Sequence, residues 1–241
     1  IYEVSGTDFT QTIWNNSAGS TPKYGDGVTI TTSGSGNGAG IGANAGVYSN
    51  FGGDMIVGDR LTIKTTGTAA DAIRTNPSGT SDYNNSTGVI TIGNGLVVRV
   101  SGVCADGINA NGQSKVIVGD EADFTVAGIA AYAVRANHSS EVTVGDKMKV
   151  EVNAGSSYAV YTDRGSASTT GYTGGSSIKI GKDSEMKTTG SSAHAVYLNN
   201  IDSSILIGDN GTILTNGNNS DGLVISANGS GGIITVENDF S

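Results

Sequence analysis

The sequence predicts an all-β solenoid with three short strands per coil, about seven coils and an N-terminal cap. Three observations carry this. Two uninterrupted copies of one unit, Gly93–Val118 and Gly119–Val144, stand back to back, each with a Gly-Asp or Gly-Asn turn, an alternating strand, a small-residue stretch, an aliphatic and a closing strand. The unit's glycine recurs at Gly25, Gly58, Gly93, Gly119, Gly145, Gly181 and Gly208, with spacings of 33, 35, 26, 26, 36 and 27. The chain has 241 residues with 38 glycines, 2 prolines and 6% aromatics, which is too little bulk for a thick core but enough to fill stacked thin layers.

Residues 1–24 do not follow the repeat and hold the single tryptophan, Trp14, so they are expected to cap the open end of the stack; an incomplete earlier coil is the alternative. Residues 25–241 form the coils. The first strand places Val28/Ile30, Leu61/Ile63, Leu96/Val98, Phe124/Val126, Met148/Val150, Met186 and Ile213 on one face by period-two alternation. The second carries Ile41, Ile73, Ile108, Val134, Val160, Val196 and Leu223, each preceded by a glycine or alanine whose small size implies a tight bend or a close approach. The third closes each coil with pairs such as Ile90/Ile92 and Val116/Val118.

Three residues beyond the second-strand aliphatic lie Asn44, Asn76, Asn111, Asn137, Asp163 and Asn199. Amides stacked in this way can bond to the coils above and below, so a structural ladder is expected. Some of these positions also form glycosylation sequons, such as Asn137-His138-Ser139, which the ladder explains without a sugar. The length variation is assigned to the corner after this strand, with inserts near Ala45–Asp54, Pro77–Thr87 and Arg164–Gly175. Such a corner is either a recognition edge or simply the place that tolerates insertion.

One residue past the aliphatic runs an outward column, Arg74, Asn109, Arg135, Tyr161 and Tyr197. From it Arg74, Arg135, Tyr161 and Tyr197 are the candidate ligand contacts, because tyrosine and arginine offer large area with polar tips; the other reading is strand-compatible surface filler. Strict alternation turns Tyr132, Tyr158 and His194 inward, and whether they do so is open at this level.

A net charge of −9 argues against nucleic acid, and no apolar run approaches the roughly 20 residues of a membrane helix, so no direct membrane insertion is expected. Cys104 stands alone, which excludes an internal disulfide and fits a small buried side chain. The recurrent Gly-Asp pairs lie on separate coils, where turn chemistry explains them better than calcium; no metal and no cofactor is expected. His138 and His194 have no nucleophile or carboxylate at a fixed offset, so no catalytic residue is assigned. The chain opens at Ile1 without an initiator Met or signal peptide and stops at Ser241 where another unit is due. It is therefore expected to be a segment of something longer.

The Gly-Asp turns, three strands, asparagine column and one-sided loops over about residues 25–236 resemble the right-handed parallel β-helix of pectin-lyase-like folds. More narrowly, the chain resembles the passenger domain of a bacterial autotransporter of type V secretion. The Gly-Asp-Ser-Gly of protease passengers and the Asp-Asp or His-Gly of pectin-degrading relatives are absent. The resemblance thus implies a non-enzymatic adhesin at the bacterial cell surface or secreted. Its partners would be host glycans, matrix or surface proteins, other bacteria or identical chains, as in aggregation and biofilm. Two other readings stay open: a polysaccharide-cleaving helix whose catalytic coils lie beyond this sequence, favoured by carboxylates clustered on one strand face, and a spacer rod.

Overall fold

A computed structural model describes residues 2–4, 8–9, 13–15, 19–34, 45–50, 53–76, 88–163, 174–199, 202–226, 231–239 and 241. Its described residues form 25 short strands and no helix. All pairings are parallel, and the strands sort into three sheets of nine, eight and eight. The architecture is a right-handed parallel β-helix. Each coil contributes one strand to sheet I, turns at the Gly-Asp pair into sheet II, turns again into sheet III and crosses back. Sheet I runs from Tyr2–Val4 to Ile233–Val236, sheet II from Asp8–Phe9 to Thr212–Thr215, and sheet III from Ile13–Asn15 to Leu223–Ile225.

Alternation makes the core. In sheet I, Ile90 lies between Met55 and Val116; in sheet II, Val98 lies between Ile63 and Phe124; in sheet III, Ile108 lies between Ile73 and Val134. All nine are fully buried, so each coil carries one thin aliphatic layer worth about 1.5–3 kcal/mol per large side chain removed from water.

The structure corrects the sequence reading in two places. Residues 1–24, expected as a cap with an earlier coil as the alternative, contain four strands, of which the first three pair in register with the next coil, at Tyr2–Pro22, Asp8–Thr29 and Ile13–Val47, so this stretch follows the alternative and holds a coil of its own. Eight complete coils and a ninth sheet I strand follow from the sheet sizes. In the second coil, Val47 and not Ile41 pairs with Ile73, Gly46 precedes it in place of Gly40, and Asn50 stands opposite Asn76 in the place given to Asn44. Residues 35–44 lie outside the described residues. The added length of this coil falls between strands Thr29–Thr32 and Val47–Asn50, before sheet III and not in Ala45–Asp54 after it. A fixed count from Gly25 cannot register an insertion placed there.

The Gly-Asp turns interlock the coils. The Oδ1 of Asp26 accepts the backbone N–H of Asp59 at 3.0 Å, Asp59 that of Asn94 at 2.8 Å, Asn94 that of Asp120 at 2.9 Å, Asp120 that of Asp146 at 2.9 Å and Asp146 that of Lys182 at 3.1 Å. From Gly58 to Gly181 the glycine before each of these residues lies on the preceding carboxyl or amide oxygen, so that a Cβ at Gly93 would collide with Asp59 and one at Gly145 with Asp120. The residue after the Asp adopts a left-handed conformation, as at Arg60, Glu121 and Lys147, and its N–H bonds to the next coil, for example Glu121 to the Asp146 carbonyl at 2.8 Å. Lys182 interrupts this ladder, for its side chain has no acceptor to offer the next coil.

Candidate functional site

The outer face of sheet III concentrates polar and aromatic side chains because its strands skip a beat. In strand Tyr132–Asn137, Ala133 and Val134 are both buried, so Tyr132 and Arg135 both lie on the outer side. The small residue makes this possible: a Cβ at Gly107 would press on the Ala133 carbonyl and the Phe124 ring. Two outward rows result. One holds Asp71, Asp106, Tyr132, Tyr158, His194 and Asp221, aligned by backbone bonds such as Ala72 N–H to the Asp106 carbonyl and Ala159 N–H to the His194 carbonyl; the other holds Arg74, Asn109, Arg135, Tyr161, Tyr197 and Val224, and the strand register runs through it.

Asp71 and Asp106, on consecutive coils, are each only 2% exposed. The Oδ1 of Asp71 accepts the Asp106 N–H at 2.8 Å, and its Oδ2 accepts Arg74 Nη1 at 3.2 Å and Asn109 Nδ2 at 3.0 Å. The Oδ1 of Asp106 accepts the Tyr132 N–H at 2.9 Å, and its Oδ2 faces Arg135 Nη1 at 3.5 Å. Burial raises both carboxyls above their usual range. For Asp106, the neighbouring Asp71 adds to burial and brings the pKa to about 8.

Downstream the stripe becomes aromatic. Tyr132 stacks on Tyr161 with centroids 4.5 Å apart and on Tyr158 at 5.2 Å, and Tyr158 stacks on Tyr197 at 4.9 Å. His194 tilts against Tyr158 and Tyr197, and its Nδ1 accepts the Asp221 N–H at 3.0 Å. The Arg135 guanidinium lies 5.3 Å from the Tyr132 centroid and 5.7 Å from that of Tyr161. Burial raises the Tyr132 hydroxyl to about 12 and also raises Tyr158 and Tyr161.

Of the residues singled out from sequence, Arg135 and Tyr197 remain partly exposed in this stripe. Arg74 lies two coils upstream, tied to Asp71. Tyr161 is 7% exposed; its hydroxyl donates to Asp163 and accepts from Asn199, so it braces the stack from beneath. Tyr132, Tyr158 and His194, left open by alternation, lie on the outer side. Sequence reasoning missed Asp71 and Asp106, although they occupy the same offset as Tyr132.

The asparagine column keeps its register at Asn50–Asn76 and Asn137–Asp163. Its side chains turn elsewhere: among the described residues, no hydrogen bond joins consecutive members. Asn137 reaches Asn109 at 3.4 Å, Asn111 and Asn137 both meet His138 Nδ1, at 2.5 and 2.9 Å, and Asn199 reaches Tyr161 at 3.2 Å. Nearer partners on the stripe and at the corner satisfy these amides, and the ladder is formed by the Gly-Asp turns. Asn44 and the side chain of Asn76 lie outside the described residues. Cys104, expected in the interior, is exposed with φ of 55° at the turn from sheet II to sheet III, where the left-handed backbone points it outward.

Sheet II presents a different surface, a shallow depression of about 370 Å³ lined with Arg99, Asp123, Lys149, Glu151, Glu185 and Lys187. Arg99 and Asp123 form a bidentate pair at 2.7 and 3.1 Å, and Lys187 meets Glu151 at 3.3 Å. Among the described residues no three His, Cys, Asp or Glu side chains are grouped to hold a metal ion.

The class of protein is thus a right-handed parallel β-helix with a polar-aromatic stripe along one sheet. Comparison with known proteins finds no matching family model, no matching curated protein and no matching solved structure.

Proposed function

We propose that the chain is a non-enzymatic adhesin segment, of the kind borne by an autotransporter passenger at a bacterial surface, and that its sheet III stripe contacts a glycan. The observation that carries this reading is the fixed stack of Tyr132, Tyr158 and Tyr197 on three successive coils. Their hydroxyls have no partner among the described residues. The ring faces are largely taken by one another, leaving edges and hydroxyls to meet a ligand rich in hydrogen-bonding groups. Immobility imposed by the stack lowers the ordering cost of such contacts. The test is binding to a panel of glycans and matrix proteins beside a Tyr158→Ala/Tyr197→Ala variant. Binding to glycans that the variant loses supports the reading; binding to none of them, or unchanged binding by the variant, refutes it.

The Asp71–Asp106 pair favours a second reading, a glycan-cleaving site, since two carboxyls on one strand face, one of them protonated at neutral pH, match the needs of acid–base hydrolysis. Their burial and the engagement of all four oxygens weigh against it. New reducing ends from a polysaccharide panel, lost in Asp106→Asn, would establish the enzymatic reading.

A further inference from the structure

We infer that Arg135 is the seat for an anionic group, a carboxylate or a sulfate ester, carried by the sugar chain that the stripe engages; this rests on the glycan-contact reading above. The guanidinium is held in place by two rings and by a single hydrogen bond, from Nη1 to Asp106 at the long distance of 3.5 Å. Nη2 has no partner among the described residues, and Nε is buried without one. A planar fork with a free donor, a side chain 27% exposed and fixed orientation suits an oxyanion better than a neutral hydroxyl. The unpartnered Tyr132 hydroxyl belongs to one of the two rings against it, and Tyr158, also unpartnered, stacks on Tyr132 from the following coil. Arg74 does not offer the same seat. Its carboxylate partner Asp71 is closer, at 3.2 Å, and its side chain is 16% exposed.

The groups facing Arg135 are Asp106 from the preceding coil, Tyr132 on its own strand, His138 just past that strand, and Tyr161 and Asp163 from the following coil; Asp71, held by Arg74 and Asn109, lies beyond Asp106. Asp106 competes with a ligand for Arg135 only when ionised. Because burial and the Asp71 charge hold its carboxyl protonated up to about pH 8, Asp106 does not offset the guanidinium at neutral and lower pH, and Asp163 is the facing carboxylate that remains. Ligand binding therefore tightens as pH falls from 9 toward 6, and Asp106 acts as a positioning residue that sets this profile.

The experiment measures affinity of the chain for dextran sulfate, carboxymethyl dextran and unmodified dextran at low salt, with inorganic sulfate as competitor. The charged polymers are expected to bind at least about tenfold more tightly than dextran, as a charge-assisted contact gives, and Arg135→Gln to remove that difference. Arg135→Lys restores part of it, and Arg74→Gln leaves it intact. Preference for one charged polymer over the other assigns the group as sulfate or carboxylate. Asp106→Asn is expected to bind tightly with no pH dependence, which a merely structural Arg135 would not produce. Equal binding of all three polymers with loss in Tyr158→Ala/Tyr197→Ala retains the glycan reading and overturns the anion seat, as does unchanged preference in a folded Arg135→Gln. Failure of all polymers and of the wider glycan panel overturns both.

Discussion

Asp106 gives the chain an unusual dependence of stability on pH. Its carboxyl is raised from the ordinary 3.8 to about 8, first by burial and then by the Asp71 charge. A folded-state pKa above the unfolded value means that the stabilisation is complete below about pH 4 and is lost as pH rises through about 8. Across that window the slope approaches about 1.4 kcal/mol per pH unit for one proton, which sets a ceiling of about 6 kcal/mol for the whole rise. Asn at this position keeps an acceptor for the Tyr132 N–H and does not titrate. Urea denaturation followed by circular dichroism, from about pH 5 to about pH 9, should therefore give stability profiles that diverge as pH rises. The two proteins are close in stability at the acid end, and Asp106→Asn is the more stable at the alkaline end. Parallel pH profiles, or a wild type that gains stability over Asp106→Asn as pH rises, would refute the reasoning.

Val134 is fully buried between Ile108 and Val160, so Val134→Asp should cost about 3–5 kcal/mol by placing a charge without a partner in the core; an unchanged melting curve would remove it from the column. Asp120→Ala should lower stability by about 1 kcal/mol through loss of the bond to the Asp146 N–H, whereas Asp120→Asn should be nearly silent, as Asn94 already performs this role; equal melting temperatures for the two variants would count against the ladder. In an alkaline near-ultraviolet titration, a tyrosinate step at about pH 12 should disappear in Tyr132→Phe, and complete ionisation by about pH 10 would contradict its burial.

The fold was legible because one period governs the whole chain. Aliphatics at matching offsets from each glycine are the columns that fill the core, and two coils escaped that count: the first, formed by residues expected as a cap, and the second, with its extra residues before Val47. The ladder was legible in part. Stacked asparagines suggested it, yet the side chains that join coil to coil are those beside the glycines, where a missing Cβ admits the neighbouring oxygen. A short motif read as local turn chemistry acts between coils, and a single sequence cannot separate the two. The stripe was half legible. Period two predicts one outward row, but paired inward residues such as Ala133 and Val134 create a second, bringing Asp106 and Tyr132 beside Arg135.

The missing rung at Lys182 has a mechanical consequence. A rod anchored at one end and loaded along its axis carries the force through every coil junction in series, so its breaking strength is that of its weakest joint. The junctions from Asp26 to Lys182 are each clamped by a side-chain oxygen, and Asp209 clamps Asn238 at 2.9 Å. At the step from Lys182 to Asp209 the turn is tied through Asn210 and Asp183 instead, at 2.8 Å on the exposed surface. Under tension this is where the rod is expected to part first, with the coils of Tyr132, Tyr158 and Tyr197 all on the N-terminal side of the break.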